Sequence, residues 1–229
     1  MKTIGMLGGM SWESTTLYYR KINEETRNAL GGFHSAPIAM VSVDFQAIET
    51  LQHDDNWAAC AEILADSARR IEAAGADLLL ICTNTMHRVA PEIESAIGIP
   101  LLHIADATAA RIKAEGIHTV GLLGTRFTME QAFYRGRLED HGIQVLVPPE
   151  DDRALVHKVI YEELCQGQVR AESRDEFLRI IDELASRGAQ GVIEGCTEIV
   201  MLVRQSDTRV QLFDTTAIHA EEAVAEALK

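Results

Sequence analysis

The feature that most constrains the fold of this chain is an echo between its two halves. Ile4-Gly5-Met6-Leu7-Gly8 returns as Val120-Gly121-Leu122-Leu123-Gly124, and Tyr19-Arg20 returns as Tyr134-Arg135. Gly75-Ala76, ahead of an apolar run ending in Cys82-Thr83, returns as Gly188-Ala189 ahead of a run ending in Cys196-Thr197. Asp106-Ala107-Thr108 returns as Asp214-Thr215-Thr216. One such echo would be chance, but these keep the same order and nearly the same separation, which predicts two similar lobes. A chain of 229 residues is long enough for each lobe to bury its own core.

Hydrophobic periodicity assigns those lobes to the α/β class. Strands are expected over 3–7, 38–43, 77–81, 99–104, 119–123, 144–147, 191–194 and 210–213. Helices are expected from Ser11 through Ile22, from an Asn56 cap to residue 74, and over 91–97, 109–114, 129–138, 155–164, 175–187 and 216–228. Short strands separated by helices imply parallel sheets with helices on both faces. The first lobe is placed at residues 1–104 with the last helix, 213–229, returning to it, and the second at 105–212.

Charge and cysteine content narrow the partners. The chain carries 21 Lys and Arg against 35 Asp and Glu, a formal charge of −14, which argues against nucleic acid or an anionic membrane as partner. No apolar run approaches the roughly 18–20 residues that span a bilayer. Glycines at positions 5, 8 and 9 interrupt what a secretory leader would need, so a cytoplasmic protein is expected. Cys60, Cys82, Cys165 and Cys196 lack paired C-x-x-C spacing, and the histidines lack an H-x-x-x-H pattern, so no metal is expected. Cys60 falls on a helix with Trp57, Leu64 and Ile71 and reads as a buried small hydrophobe.

Cys82 and Cys196 occupy a different kind of position. In an open parallel sheet, ligands bind beyond the carboxyl ends of the strands. Each cysteine follows an apolar strand and precedes a polar segment, Thr83-Asn84-Thr85 or Thr197-Glu198, that starts a helix. Helix-terminal N–H groups favour a thiolate, and with the threonine hydroxyls and the Asn84 amide they suit a carboxylate. If the lobes face each other about a pseudo-twofold axis, two thiols approach one ligand from opposite sides. That arrangement suits inversion at a carbon: one thiolate removes a proton, and the opposing thiol delivers one to the other face.

At these motifs the chain resembles the cofactor-independent aspartate/glutamate racemase superfamily, in particular the branch of bacterial aspartate racemases and broad-specificity amino-acid racemases. The resemblance rests on Ile4 through Thr15, Cys82-Thr83-Asn84-Thr85-Met86-His87, Leu122-Leu123-Gly124-Thr125, Tyr161-Glu162 and Gly195-Cys196-Thr197-Glu198, and it covers essentially the whole chain. It implies two Rossmann-like lobes with the active site in the cleft between them, no pyridoxal phosphate, no metal, a small amino-acid substrate and a homodimer. It makes Cys82 and Cys196 the catalytic pair. It places Met10, Thr83, Asn84, Thr85, Thr125, Thr128, Thr197 and Glu198 around the substrate's carboxylate and ammonium.

Two departures bear on specificity. Aspartate racemases of this kind hold the side-chain carboxylate with an Arg in the loop after the second strand and a Lys in a Tyr-Glu-x-x-Lys-x-Gly stretch. Here Gln52 falls in the Arg region, and Cys165 takes the Lys position in Tyr161-Glu162-Glu163-Leu164-Cys165-Gln166-Gly167. Broad or neutral-polar substrates are therefore expected rather than strict aspartate use. The rival readings are maleate cis–trans isomerisation, hydantoin racemisation, and a non-catalytic amino-acid-binding module on the same scaffold.

Other features have plainer readings. Gly8-Gly9 lacks the remaining glycines or the Lys of a phosphate loop and reads as a tight turn. His87 is expected behind Cys82, where it could orient it, or at the surface. Glu194 is unusual inside a strand. Asp214 and His219 are expected to cap a helix, residues 149–152 to enter one in solvent, and Tyr18, Tyr19 and Tyr134, with Arg20 and Arg135, could sit at a dimer interface.

Overall fold

The computed structural model describes residues 1–229, and the chain divides into two compact units, Met1–Ile104 with His219–Lys229, and Ala105–Ile218. The first unit holds β1 (Ile4–Gly8), α1 (Trp12–Leu30), β2 (Ile38–Ser42), α2 (Phe45–His53), α3 (Trp57–Ala73), β3 (Leu78–Ile81) and α4 (Ala90–Ser95). A 3-10 turn over Thr85–Val89 links β3 to α4. Next, α5 (Ile104–Ala114) leads into β4 (Thr119–Gly124), α6 (Arg126–Glu130), α7 (Ala132–Asp140), β5 (Gln144–Leu146), α8 (Glu150–Glu162) and α9 (Ala171–Ser186). The remaining elements are β6 (Gly191–Gly195), α10 (Ile199–Leu202), β7 (Gln211–Asp214) and α11 (Thr215–Leu228). The chain returns to the first unit at His219, partway along α11, and β7 belongs to the second unit.

Both sheets are wholly parallel and share one winding. The first runs β2-β1-β3 and the second β5-β4-β6-β7. In each, the chain starts on an inner strand, lays the next strand on one side and then crosses to the other. The crevice for a ligand lies where that direction reverses, beyond the carboxyl ends of β1 and β3 in one unit and of β4 and β6 in the other. Register brings those ends level, with Leu7 beside Ile81 and Gly124 beside Gly195.

Burial on both faces explains the sequence of these strands. β1, β3 and β6 are buried at every position, so β1 and β3 read as continuous apolar runs rather than alternating ones, and β6 does so except at Glu194. In the first unit Ile4, Met6, Leu78, Leu80 and Cys82 share a face covered by Tyr18 and Ile22 of α1 and by Ala220, Ala223, Val224 and Ala227 of α11. Each large aliphatic side chain so enclosed is worth roughly 1.5–3 kcal/mol over exposure. Caps set the helix starts: the Ser11 hydroxyl accepts from Ser14 N–H at 3.4 Å and the Asn56 amide oxygen from Ala59 N–H at 3.2 Å. Residues 149–152 enter α8 as expected, with Glu150 at its first position.

Several expectations need correction. No strand forms over 99–104; Leu101 makes one isolated bridge to Leu79, because Pro100 has no N–H to donate and the chain enters α5 at Ile104. The helix expected over 129–138 is two, α6 and α7, separated by extended Gln131. Tyr18 and Tyr134 are fully buried and cannot form an interface, whereas Tyr19 is exposed. Asp214 does cap α11, its Oδ1 accepting from the N–H groups of Thr216 and Ala217, but His219 points elsewhere.

Candidate active site

In the first unit, the turn after β1 is built around Gly8 and Gly9. A Cβ on Gly9 would strike the Val43 backbone, and its φ of +94° is one that side-chain-bearing residues avoid. Gly9 N–H donates to Thr15 Oγ1 at 2.8 Å, and that hydroxyl donates to Ser11 O at 2.9 Å, so the glycines serve a tight turn that leads Met10 past the strand end. Beside it, Cys82 N–H donates to Leu7 O at 2.9 Å, continuing the β1–β3 ladder one residue beyond the strand. Cys82 is fully buried on the apolar face covered by α1 and α11. Thr83, Asn84 and Thr85 follow, all buried, and Thr85 opens the 3-10 turn.

Gln52 lies near the end of α2 rather than in a loop. It is buried and its Nε2 donates to Met86 Sδ at 2.8 Å, which ties α2 to the segment after Cys82. His87 is buried rather than at the surface, with Nδ1 2.8 Å from Thr83 O.

The second unit repeats the layout with different chemistry. Thr125 follows β4 and caps α6, its hydroxyl accepting from Thr128 N–H at 3.3 Å and lying 3.2 Å from Thr128 Oγ1. Gly124 is obligatory there, since a Cβ would meet Gly195 O and the Thr128 side chain. Cys196 directly follows β6, as Cys82 directly follows β3. Its thiol donates to Glu198 Oε2 at 2.9 Å, and the Thr197 hydroxyl donates to the same oxygen at 2.8 Å. Cys196, Thr197 and Glu198 are all buried. Cys165, half-buried in the 3-10 turn Leu164–Gln166, lies close enough to feel the Glu198 charge.

Electrostatics overturns one expectation. Helix N-termini are expected to favour thiolates, yet burial pushes the Cys82 thiol up strongly, and burial with the Glu198 charge pushes Cys196 up as well. The reason is local: Cys82 is followed by a 3-10 turn and Cys196 by an α10 of only 4 residues, so neither meets a developed helix dipole. Dehydration wins, and both thiols rest protonated.

Two arrangements are not announced by the sequence. The carboxylate of Glu198, expected around the substrate, accepts from the Cys196 thiol, a contact the i, i+2 spacing after a strand does not reveal. Tyr18, His87, His103 and His219 form a buried cluster in the first unit, although they lie far apart in sequence. Their common signal is only that each is a polar aromatic on an otherwise apolar face.

Residues 7–223 match the family described as Asp/Glu/hydantoin racemase. A broad-specificity amino-acid racemase from Bacillus subtilis, RacX, is 24% identical over 97% of this chain and 96% of its own length. The solved structure of a candidate Asp/Glu racemase from Yersinia pestis superposes with a TM-score of 0.93 at 55% identity, covering 100% of both chains. An aspartate racemase homologue from Pyrococcus horikoshii superposes at 0.87 with 33% identity over 100% of both chains.

Proposed function

Because the chain belongs to the Asp/Glu/hydantoin racemase family, we propose that it is a cofactor-independent amino-acid racemase in which Cys82 and Cys196 act from opposite faces of the substrate Cα. The observation that carries this reading is positional: each unit ends the strand beside its sheet's switch point in one buried cysteine followed by threonine. A residue directly after such a strand borders the region where an α/β sheet receives a ligand.

In this reading one sulfur, as thiolate, takes the Cα proton and leaves the electron pair on Cα, shared with the adjoining carboxylate. The other thiol gives its proton to the opposite face and becomes the thiolate, so the two sulfurs exchange states with each turnover. Placed acid/base groups supply about 10²–10⁴-fold, and charge stabilisation at the carboxylate must supply more. Thr83, Asn84, Thr85, Thr125 and Thr197 hold the carboxylate, and Met10 and Thr128 shape the crevice. Glu198, already accepting the Cys196 proton's hydrogen bond, is the base that readies that sulfur. Nothing equivalent is joined to Cys82, whose enclosure favours the neutral thiol that delivers a proton.

Substrate choice follows from Gln52 and Cys165. Neither carries a positive charge, so an aspartate side-chain carboxylate would enter without a cationic partner, a cost of several kcal/mol in a dry site. Neutral or small polar side chains fit better, in keeping with the broad specificity named for the Bacillus relative. A homodimer in the cytoplasm completes the reading.

The experiment is racemisation of an L-amino-acid panel in D₂O, followed by Cα deuteration and chirality. Wild type should racemise several neutral substrates, and Cys82→Ser and Cys196→Ser should each lose at least three orders of magnitude in kcat. Normal turnover by either variant would contradict the two-thiol mechanism. For specificity, kcat/KM for homoserine, methionine or alanine should equal or exceed that for aspartate; a hundredfold preference for aspartate would overturn it.

A further inference from the structure

The segment that follows Cys82 is held by an imidazole whose hydrogen-bonding state is dictated by its neighbours. His87 Nδ1 lies 2.8 Å from the carbonyl oxygen of Thr83, and its Nε2 lies 3.3 Å from the backbone nitrogen of Ile104. A carbonyl oxygen can only accept and an amide N–H can only donate. The ring therefore carries its proton on Nδ1 and a lone pair on Nε2, which is a single neutral tautomer. A second proton, on Nε2, would point at the N–H of Ile104.

The surroundings enforce that state. His103 stacks edgewise on the ring with centroids 4.5 Å apart, and His219 lies at 5.9 Å. His219 is locked the other way round: its Nε2 donates to Leu102 O at 2.8 Å, so its Nδ1 accepts from the Tyr18 hydroxyl, also at 2.8 Å. Two histidines of opposite tautomer thus hold the backbone on either side of His103, one at the Leu102 carbonyl and one at the Ile104 N–H. Burial, with the neighbouring imidazoles, keeps His87 well below the ordinary histidine range, and burial lowers His219 to about 4.

The Thr83 carbonyl and the Asn84 N–H belong to one planar trans peptide, so fixing the oxygen fixes the direction of the N–H on the opposite edge. That peptide begins at the residue after Cys82. We propose that His87 is a positioning residue for the Cys82 thiol: its Nδ1–H grips the Thr83–Asn84 peptide and thereby sets the segment that aims the sulfur and binds the substrate. The inference rests on the racemase reading for the role of Cys82, and it names a residue that need touch neither substrate nor reacting atoms. The shorter of its two hydrogen bonds, to Thr83, is the one that matters.

Three variants separate positioning from simple support. Asn places its amide nitrogen where His carries Nδ1, so His87→Asn keeps the bond to Thr83 and gives up the one to Ile104. His87→Gln reaches Ile104 but not Thr83. His87→Phe keeps the ring and removes both. We expect kcat/KM to fall at least tenfold in His87→Phe and His87→Gln, and His87→Asn to stay within about threefold of wild type. A second readout does not need turnover: the rate at which iodoacetamide modifies Cys82, mapped by peptide mass spectrometry on the folded full chain. It should rise severalfold in His87→Phe and His87→Gln and stay near wild type in His87→Asn. Equal behaviour of the Asn and Phe variants in alkylation, or a folded His87→Phe with wild-type values in both assays, would overturn the proposal. A wild-type protein without racemase activity would instead defeat the reading it rests on, leaving the alkylation series to judge the grip on Thr83.

Discussion

The two thiol sites occupy the same address in the same kind of sheet and differ in almost everything around it. Cys82 sits on an apolar face made by α1 and α11, and its following loop is held by a neutral histidine. Cys196 donates to a carboxylate, and its loop is held by the hydroxyl of Thr197 on that same carboxylate. Two strand positions before the thiol, the first unit places Leu80 and the second places Glu194, both buried. Repetition of the scaffold fixed where a sulfur goes; the divergence around it makes the second site the one with a base at hand and the first the more purely neutral. In the proposed racemisation, which must run in both directions, Cys196 has a proton acceptor at hand and Cys82 lies among apolar side chains.

The comparison is most sharply tested at Glu198. Glu198→Gln keeps the shape and removes the base, so kcat should fall about 10- to 100-fold, a range normal for losing a proton acceptor. The loss should be greater for the enantiomer whose Cα proton Cys196 removes, read by initial rates from pure L and pure D substrate. Equal, small losses in both directions would mean that the carboxylate only supports the loop.

A smaller effect is expected at Glu194. Burial and the neighbouring Asp214 charge raise its carboxyl to about 8, and Asp214 accepts from two helix N–H groups. A raised carboxyl favours the folded state while protonated. The stability it lends is complete below the ordinary carboxylate range, declines as pH rises from there, and is gone above about 8. Glu194→Gln cannot ionise, so its Tm should match or fall slightly below wild type at pH 5 and exceed it at pH 9. Parallel pH dependence of Tm in the two proteins would show that Glu194 is not the neutral member of the pair.

Much of this was legible from the sequence because the governing signals are local. Buried parallel strands write themselves as apolar runs, Ser11 and Asn56 mark helix starts, and paired glycines mark the turns. The failures are equally physical. Residues 99–104 have strand-like composition, but Pro100 cannot join a ladder and α5 begins too soon. The thiols meet no developed helix dipole, because the helical segments that follow them are a 3-10 turn and the four residues of α10. The imidazole cluster joins residues 18, 87, 103 and 219, and no spacing in the chain reveals contacts of that range.

The direct test of two thiols acting from opposite faces is the fate of solvent deuterium at the start of the reaction. Single-enantiomer substrate should yield product enantiomer carrying deuterium at Cα while the remaining substrate stays protiated, because the incoming deuteron comes from the sulfur that did not take the proton. Deuterium entering recovered substrate as fast as it enters product would mean that one group works on both faces, and the paired-thiol account would be wrong.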